Sequence, residues 1–343
     1  MIDYLIIGQG FVGSLLSHEL LNQGKAVRII DFDFETSASA ISSGILNPIT
    51  GRNLVKTWRA EILFNIANTY YKELQLQLKH PFYEEIPIYR LMNTAKEEND
   101  YSIKSGMEEY EFVLGAESLL DATKYHEQQA FEIKNTKRVG IASVCALLKE
   151  KFILKGIYQN EEFDYSALKI ASDHIVYKDI VSRNIIFCEG AKARFNAYFN
   201  HIPFIIAKGE YLVVNIPDLN QKFILNHHKI LAPLINNDYW FGATFDWDLN
   251  TSMVTEEGKK ELIESLEKII KIPYQIKKHG GAYRPTIKDR RPVIGTHPIY
   301  HPLHVFNGFG TKAASLAPYY VTHFIQYLLG NIELEKEVNH RRF

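Results

Sequence analysis

Between Met1 and Asp33 the apolar residues change their period from one stretch to the next. Tyr4 to Ile7 is a short continuous apolar run, which predicts a buried strand. Leu15, Leu16, Leu20 and Leu21 then recur at helical spacing, and Gly24 stands where a helix stops. Val27, Ile29 and Ile30 form a second strand-like run that ends in Asp31. Further along, Thr57 is placed to cap a helix with Trp58, Ile62, Ile66, Tyr70 and Leu74 on one face. Ser143 is placed to cap another that carries Leu147, Leu148 and Phe152. Asn184 to Ala191 reads as a buried strand running into a glycine turn. Pro203 to Ile216, Lys229 to Ile235 and Tyr239 to Thr244 are strand-like segments at short intervals, the pattern of an antiparallel sheet. Thr255 caps an amphipathic helix on which Leu262, Ile263, Leu266, Ile269 and Ile270 face one way. His304 to Asn307 is strand-like and leads into a last helix, lined by Leu316, Tyr320, Val321, Phe324, Ile325 and Leu328 and closed by Gly330.

The opening elements meet at Gly8-Gln9-Gly10-Phe11-Val12-Gly13. Gly8 permits the sharp turn, Gly10 lets the backbone approach a pyrophosphate, and Gly13 lets the helix pack close to the strand. The helix that opens near Gly10 turns its free N–H groups and positive dipole end toward the phosphates. Asp31 is placed to accept hydrogen bonds from adenosine ribose hydroxyls. With a carboxylate there and no Arg beside it, a 2′-phosphate would be repelled, which disfavours NADP. Strand, turn, helix, strand and closing acid form the fingerprint of a dinucleotide-binding unit. The plain alternative is a strand-turn-helix with incidental glycines.

From about Pro81 to Arg138 the alternation of strand and helix is lost, and short aromatic runs sit among charged turns. The expected fold is therefore α/β, in two braided parts. A Rossmann-like domain, a parallel sheet with helices, takes residues 1–80, 139–195 and 280–343. A second α+β domain built on an antiparallel sheet takes 81–138 and 196–279 and is the expected substrate-binding part.

Composition changes this picture little. The chain has 343 residues, 46% of them hydrophobic and 23% charged, with a formal net charge of −1. That length suits two cores, and that charge argues against a whole-surface nucleic-acid binder while leaving a local basic patch open. Cys145 and Cys188 have neither metal-site nor redox-pair spacing and read as buried small residues. The chain opens directly in its first strand, and no apolar run is long enough to span a bilayer, so no membrane contact and a reducing cytoplasm are expected.

Two further stretches carry chemistry. Thr36 to Gly51 is dense in Ser, Ala and Gly, which suits either backbone lying against a ligand or a flexible surface loop. Gly280 to Gly295, GGAYRPTIKDRRPVIG, places Arg284 just before Pro285. Gly308-Phe309-Gly310-Thr311-Lys312 then opens the last helix, a second glycine turn at a helix N-terminus suited to partial negative charge.

Taken in order, these motifs resemble the FAD-dependent oxidoreductases of the D-amino-acid oxidase and glycine oxidase superfamily. The resemblance rests on GQGFVG, on Ala38-Ser39 followed by Gly44 and Pro48, on CEGA at Cys188 to Ala191 and on GATF at Gly242 to Phe245. YRPTIKDRRPVIG at Tyr283 to Gly295 and NGFGTKAASLAP at Asn307 to Pro318 complete it. It implies FAD held extended and without a covalent bond. Gly8, Gly10, Phe11, Val12, Gly13, Asp31 and Phe32 would hold the ADP half. Ser39, Gly44, Ile45 and Gly190 would line the pyrophosphate, ribityl chain and ring, and Gly308, Gly310, Thr311 and Lys312 would lie at the pyrimidine end. A helix N-terminus with Lys312 would stabilise negative charge developing at the flavin N1–C2=O. The bland alternative for Lys312 is a solvated lysine at a helix start.

The resemblance implies a reaction in which a hydride leaves the carbon beside an amine for flavin N5, giving an imine that hydrolyses. Arg284 is the expected clamp for the substrate carboxylate, since guanidinium pairs bidentately with carboxylate; a structural salt bridge to Asp289 is the alternative. Relatives place a Tyr on the strand before the GATx turn, whereas this chain has Ile230-Leu231-Ala232-Pro233. Tyr211, Tyr239, Tyr283, His227 and His228 are the candidates for the second contact.

The expected substrate is a small amino acid such as glycine, sarcosine or a D-amino acid, with oxygen or an unidentified partner as electron acceptor. A second reading is similarity to the FAD domain of the bifunctional tRNA 5-methylaminomethyl-2-thiouridine biosynthesis enzyme, which removes a carboxymethyl group from a wobble uridine. GFGTKAASLAP and ASAISSGILNP lie close to that pattern, and Arg52, Lys56, Arg59, Arg290, Arg291, Arg341 and Arg342 could serve tRNA phosphates or form a solvated face. A third reading is a non-catalytic flavin-binding protein.

Overall fold

A computed structural model describes residues 1–248 and 253–343. The opening apolar run becomes the strand Ile2–Ile7, with Tyr4 to Ile7 all buried. Tyr4 and Ile6 enter one hydrophobic core, Leu5 and Ile7 another, so the strand is covered on both faces. This explains a continuous run where a half-buried strand would alternate. Val27–Asp31 and Ile180–Phe187 flank it in parallel register, and Tyr158–Asn160 and Leu303–Asn307 extend the parallel set outward. Among the described residues this sheet has eight strands. Helices Phe11–Asn22, Ala60–Leu78, Ile141–Leu154 and Ala313–Leu328 contribute to the core on one of its faces.

The second large sheet, also of eight strands among the described residues, runs in the order Gln275–Ile287, Phe204–Asn215, Asp238–Gly242, Ile230–Pro233, Ile224–Asn226, Ile88–Leu91, Gln129–Ile133, Leu114–Leu119. Every pairing is antiparallel except that of Ile224–Asn226 with Ile88–Leu91. Leu212 and Val214 pack in one core with Leu262 and Leu266 of the helix Glu256–Glu267. Thr255 caps that helix as expected, its side chain accepting from Gly258 N. The strand Gln275–Ile287 belongs to this sheet, so a domain boundary at residue 280 falls inside it. A small sheet of Ile45–Leu46, Lys137–Val139 and Tyr83–Glu85 joins the Ser- and Ala-rich stretch to the inserted segment. Trp240 Nε1 adds a bond across the lobes, donating to Ile41 O at 3.1 Å. No helix among the described residues is long and apolar enough to cross a membrane.

Two helix starts differ from the sequence reading. Thr57 does not cap Ala60–Leu78; the cap is Arg59 in left-handed conformation, φ 51°, with no side-chain bond. The Thr57 hydroxyl is spent on Asn47 O, at 2.9 Å. The buried face is Leu63, Phe64, Ala67, Tyr71 and Leu74, and Ile62 is exposed, because two overlapping stripes share the same helical period here. Likewise Gly140 precedes Ile141–Leu154, which leaves Ser143 inside the first turn.

Candidate functional site

The strands Ile2–Ile7 and Val27–Asp31 bring their carboxyl ends, and the helix Phe11–Asn22 its amino end, to a cavity of about 620 Å³. Gly8, Gly10, Phe11 and Val12 line it on one side, and Asn307, Phe309, Gly310 and Ala313 on another. The two glycine turns, distant in sequence, thus open onto one space. Gly8 has φ +100°, and a Cβ there would stand 2.5 Å from Cys188 O, so the turn admits no side chain. Gly10 precedes the helix without any side-chain cap. The first N–H groups of that helix are thereby left for a ligand, except Phe11 N, which donates to Ser39 Oγ at 3.0 Å.

Asp31 lines the cavity with Phe32. Its Oδ1 accepts from Gln9 N at 2.8 Å, while Oδ2 is buried with no hydrogen-bond partner among the described residues. Burial raises its pKa, against the bond from Gln9. A buried orphan acceptor is costly unless something donates to it. A ribose diol does so, and the lining therefore fits the adenosine end of a dinucleotide. Lys192 and Arg194 also line the cavity and suit its phosphates.

Ser39, Gly190 and Tyr283 are on the lining. Gly13 packs behind the turn against Gly8 O, and Gly44 against Val139 O. Ile45 pairs with Arg138 in the small sheet. Gly308 is buried with φ +78°, and Thr311 is exposed. None of these last five lies on the cavity wall itself.

Lys312 projects from the second glycine turn toward the end of the Ser- and Ala-rich stretch and the residues just after it. Its Nζ donates to Thr57 Oγ1 at 3.2 Å and to Asn47 O at 3.4 Å, and no carboxylate lies within ion-pair reach among the described residues. Burial of the ammonium pulls its pKa down to about 8. It is not the solvated lysine of the bland reading. A half-buried ammonium with only neutral acceptors among the described residues suits a neighbouring anion.

Arg284 is held edge-on. Its Nη1 donates to Lys208 O at 3.2 Å and its Nη2 to Thr244 O at 3.1 Å. The Phe245 ring covers the guanidinium, 4.9 Å from Cζ. No carboxylate pairs with it among the described residues, and burial lowers its pKa. Asp289, the alternative partner, binds Arg342 instead, with Nε to Oδ2 at 2.8 Å.

Of the candidates for a second contact, Tyr283 alone lines the cavity. Tyr211 is buried and stacked on Trp240, with centroids 5.8 Å apart. Tyr239 is in the core, its hydroxyl accepting from Gln221 N. His227 and His228 meet as a tilted pair, centroids 3.9 Å apart, in the turn before Ile230–Pro233. Lys192, Arg194, Phe163 and Glu189 lie on the wall and escaped the sequence reading. The charges of Lys192 and Arg194 directly after CEGA were the available signal. Glu189 is half-buried and bound by Tyr165 Oη and, at 2.9 Å, by Asn196 Nδ2. Cys188 also lines the cavity, and burial pushes its thiol pKa well up, so it stays protonated.

The basic residues read as a possible phosphate patch are largely paired. Lys56 meets Glu61 at 3.3 Å, Arg59 meets Glu335 at 2.7 Å and Arg291 meets Glu337 at 2.8 Å.

A family model described as FAD dependent oxidoreductase, DAO, matches residues 3–321. Among solved structures, glycine oxidase from Bacillus cereus ATCC 14579 superposes with a TM-score of 0.82 at 18% identity, over 97% of this chain and 96% of that one. Iminodiacetate oxidase from Chelativorans sp. BNC1 does so with 0.79 at 19% identity, over 98% of both chains. Glycine oxidase from Geobacillus kaustophilus gives 0.81 at 17% identity, over 97% and 95%.

Proposed function

The chain belongs to the DAO family of FAD-dependent oxidoreductases, and from that premise we propose that it oxidises the C–N bond of a small amino acid such as glycine, sarcosine or a D-amino acid. The observation that carries this reading is Arg284: a half-buried guanidinium, fixed along one edge by two backbone carbonyls, with no carboxylate of its own among the described residues. A cation so held is built for an external carboxylate. That the superposable structures include glycine oxidases and an iminodiacetate oxidase supports the same class.

Bound non-covalently, FAD supplies the acceptor for the hydride. In this reading Asp31 holds the adenosine ribose, and the first glycine turn, with Lys192 and Arg194, holds the diphosphate. Arg284 binds the substrate carboxylate through the guanidinium edge not taken by Lys208 O and Thr244 O. It thereby fixes which face of the α carbon is presented, and such fixing can account for much of a rate enhancement. Lys312, half-buried beside Thr57 and Asn47, stabilises negative charge at the pyrimidine end. Tyr283 completes the wall of the site.

The tRNA reading is second, because Lys56, Arg59 and Arg291 already meet carboxylates. Anaerobic mixing of the FAD-loaded protein with glycine, sarcosine, proline, D-amino acids and undermodified tRNA in turn separates the readings. Bleaching of the flavin by an amino acid is expected. Bleaching by tRNA alone would reverse the order, and bleaching by none would favour a non-catalytic flavoprotein. Admitting oxygen after reduction then tells an oxidase from a dehydrogenase.

A further inference from the structure

Beside Arg284 lies a charge cluster whose members are off the cavity wall. Lys208 and Glu210 are almost wholly buried, at 0% and 2% side-chain exposure, and pair at 3.4 Å. Lys208 also meets Asp246 Oδ2 at 3.1 Å, and Glu210 Oε2 meets His279 Nε2 at 2.8 Å. Thr255 gives Glu210 two more bonds, from N at 3.0 Å and from Oγ1 at 2.9 Å. Burying such ions is a poor way to gain stability, since desolvation offsets much of the attraction.

What the cluster joins is more telling. The bonding partners of Arg284 are Lys208 O and Thr244 O, and its faces are covered by Gly209 and Phe245. Each of these is a member of the cluster's own segments or the residue next to one. Those segments are fastened to each other by Lys208 N to Asp246 O at 2.8 Å, Asp246 N to Lys208 O at 3.0 Å and Glu210 N to Thr244 Oγ1 at 2.9 Å. Removing the ionic ties would let the segment from Thr244 to Asp246 move relative to Phe204–Asn215, and the slot would widen.

We propose that the Lys208–Glu210–Asp246 network, completed by His279 and Thr255, positions the Arg284 guanidinium, so that Glu210 governs carboxylate affinity without touching substrate. This rests on the reading of Arg284 as the carboxylate clamp. The test uses the full-length, FAD-loaded protein and follows the flavin absorbance while titrating acetate or its neutral isostere acetamide at constant ionic strength. Glu210→Gln is expected to weaken acetate by about tenfold, leaving acetamide unchanged. The double variant Glu210→Gln/Arg284→Ala is expected to bind acetate no more weakly than Arg284→Ala alone, because the two residues act as one unit. Asp246→Asn, at a side chain 39% exposed, keeps the proposal testable if Glu210→Gln does not fold, and is expected to weaken acetate by about threefold. Wild-type acetate affinity in both single variants, or additive losses in the double variant, would overturn the proposal. Equal acetate affinity in wild type and Arg284→Ala would instead overturn the clamp, and the positioning role with it.

Discussion

The guanidinium of Arg284 lies directly on the backbone of Gly209: a Cβ at 209 would overlap it, with Nη1 only 2.5 Å away. The two residues face each other across the antiparallel pair of Phe204–Asn215 and Gln275–Ile287, offset by one pleat, since Arg284 is paired with Ala207. Gly209→Ala should therefore push Arg284 out of its slot. The expected result is a rise in KM of about tenfold or more for a carboxylate-bearing substrate. FAD content should stay normal, because Gly209 lies off the cavity wall. Steady-state kinetics with flavin quantification check both.

Asp31 presents a buried, partnerless Oδ2. Asp31→Asn should weaken FAD by about tenfold or more while leaving the apoprotein as stable as wild type or more so, since an uncompensated buried charge is removed. Fluorescence titration of apoprotein with FAD, alongside thermal melting, separates the two effects.

Lys312 titrates near 8 in the folded chain because burial disfavours its charge, whereas an unfolded lysine titrates near 10.4. Between those values the unfolded chain binds more protons, so apoprotein stability should rise with pH from about 8 to about 10.4. The penalty is fully present below that window. Lys312→Met should raise the apoprotein melting temperature at pH 7 by about 2 °C or more and flatten the pH dependence. The same variant should bind FAD more weakly. An apoprotein made less stable at pH 7 by this change would exclude an uncompensated cation at 312.

The C-terminal segment carries an acid-sensitive pair. His340 Nε2 donates to Thr296 O at 2.9 Å, so its Nδ1 is the acceptor for His201 Nε2 at 3.1 Å. Burial pulls the His340 pKa down to about 4, and protonation would set two N–H groups face to face. Unfolded histidine titrates near 6.5, so this contribution is complete above about 6.5 and is lost as pH falls toward 4, by roughly 3 kcal/mol. His340→Gln should make urea stability shallower in pH across that range.

The N-terminal unit was legible because its glycines, apolar runs and closing acid obey short-range rules that hold wherever the unit occurs. Thr57 was not. Its hydroxyl looked like a cap because a helix followed, but tertiary contact with Asn47 and Lys312 claimed it first. The charges of Lys192 and Arg194 stood in plain view after CEGA, yet their direction depends on the 3₁₀ turn Gly190–Phe195. The importance of Gly209 was invisible for a different reason: nothing local marks it, and its constraint comes from a residue on the neighbouring strand. Ile230 to Pro233, read as a departure from relatives, proved an ordinary inner strand.

A cavity walled by Gly10 on one side and Gly310 on the other cannot exist until residues roughly 300 apart have met. In the proposed site, FAD binding requires the strand Leu303–Asn307 to be docked beside Ile180–Phe187. A cofactor bound there would rivet the two ends of the sequence together, so that a rising free FAD concentration should prolong the survival of that closure under heat or protease.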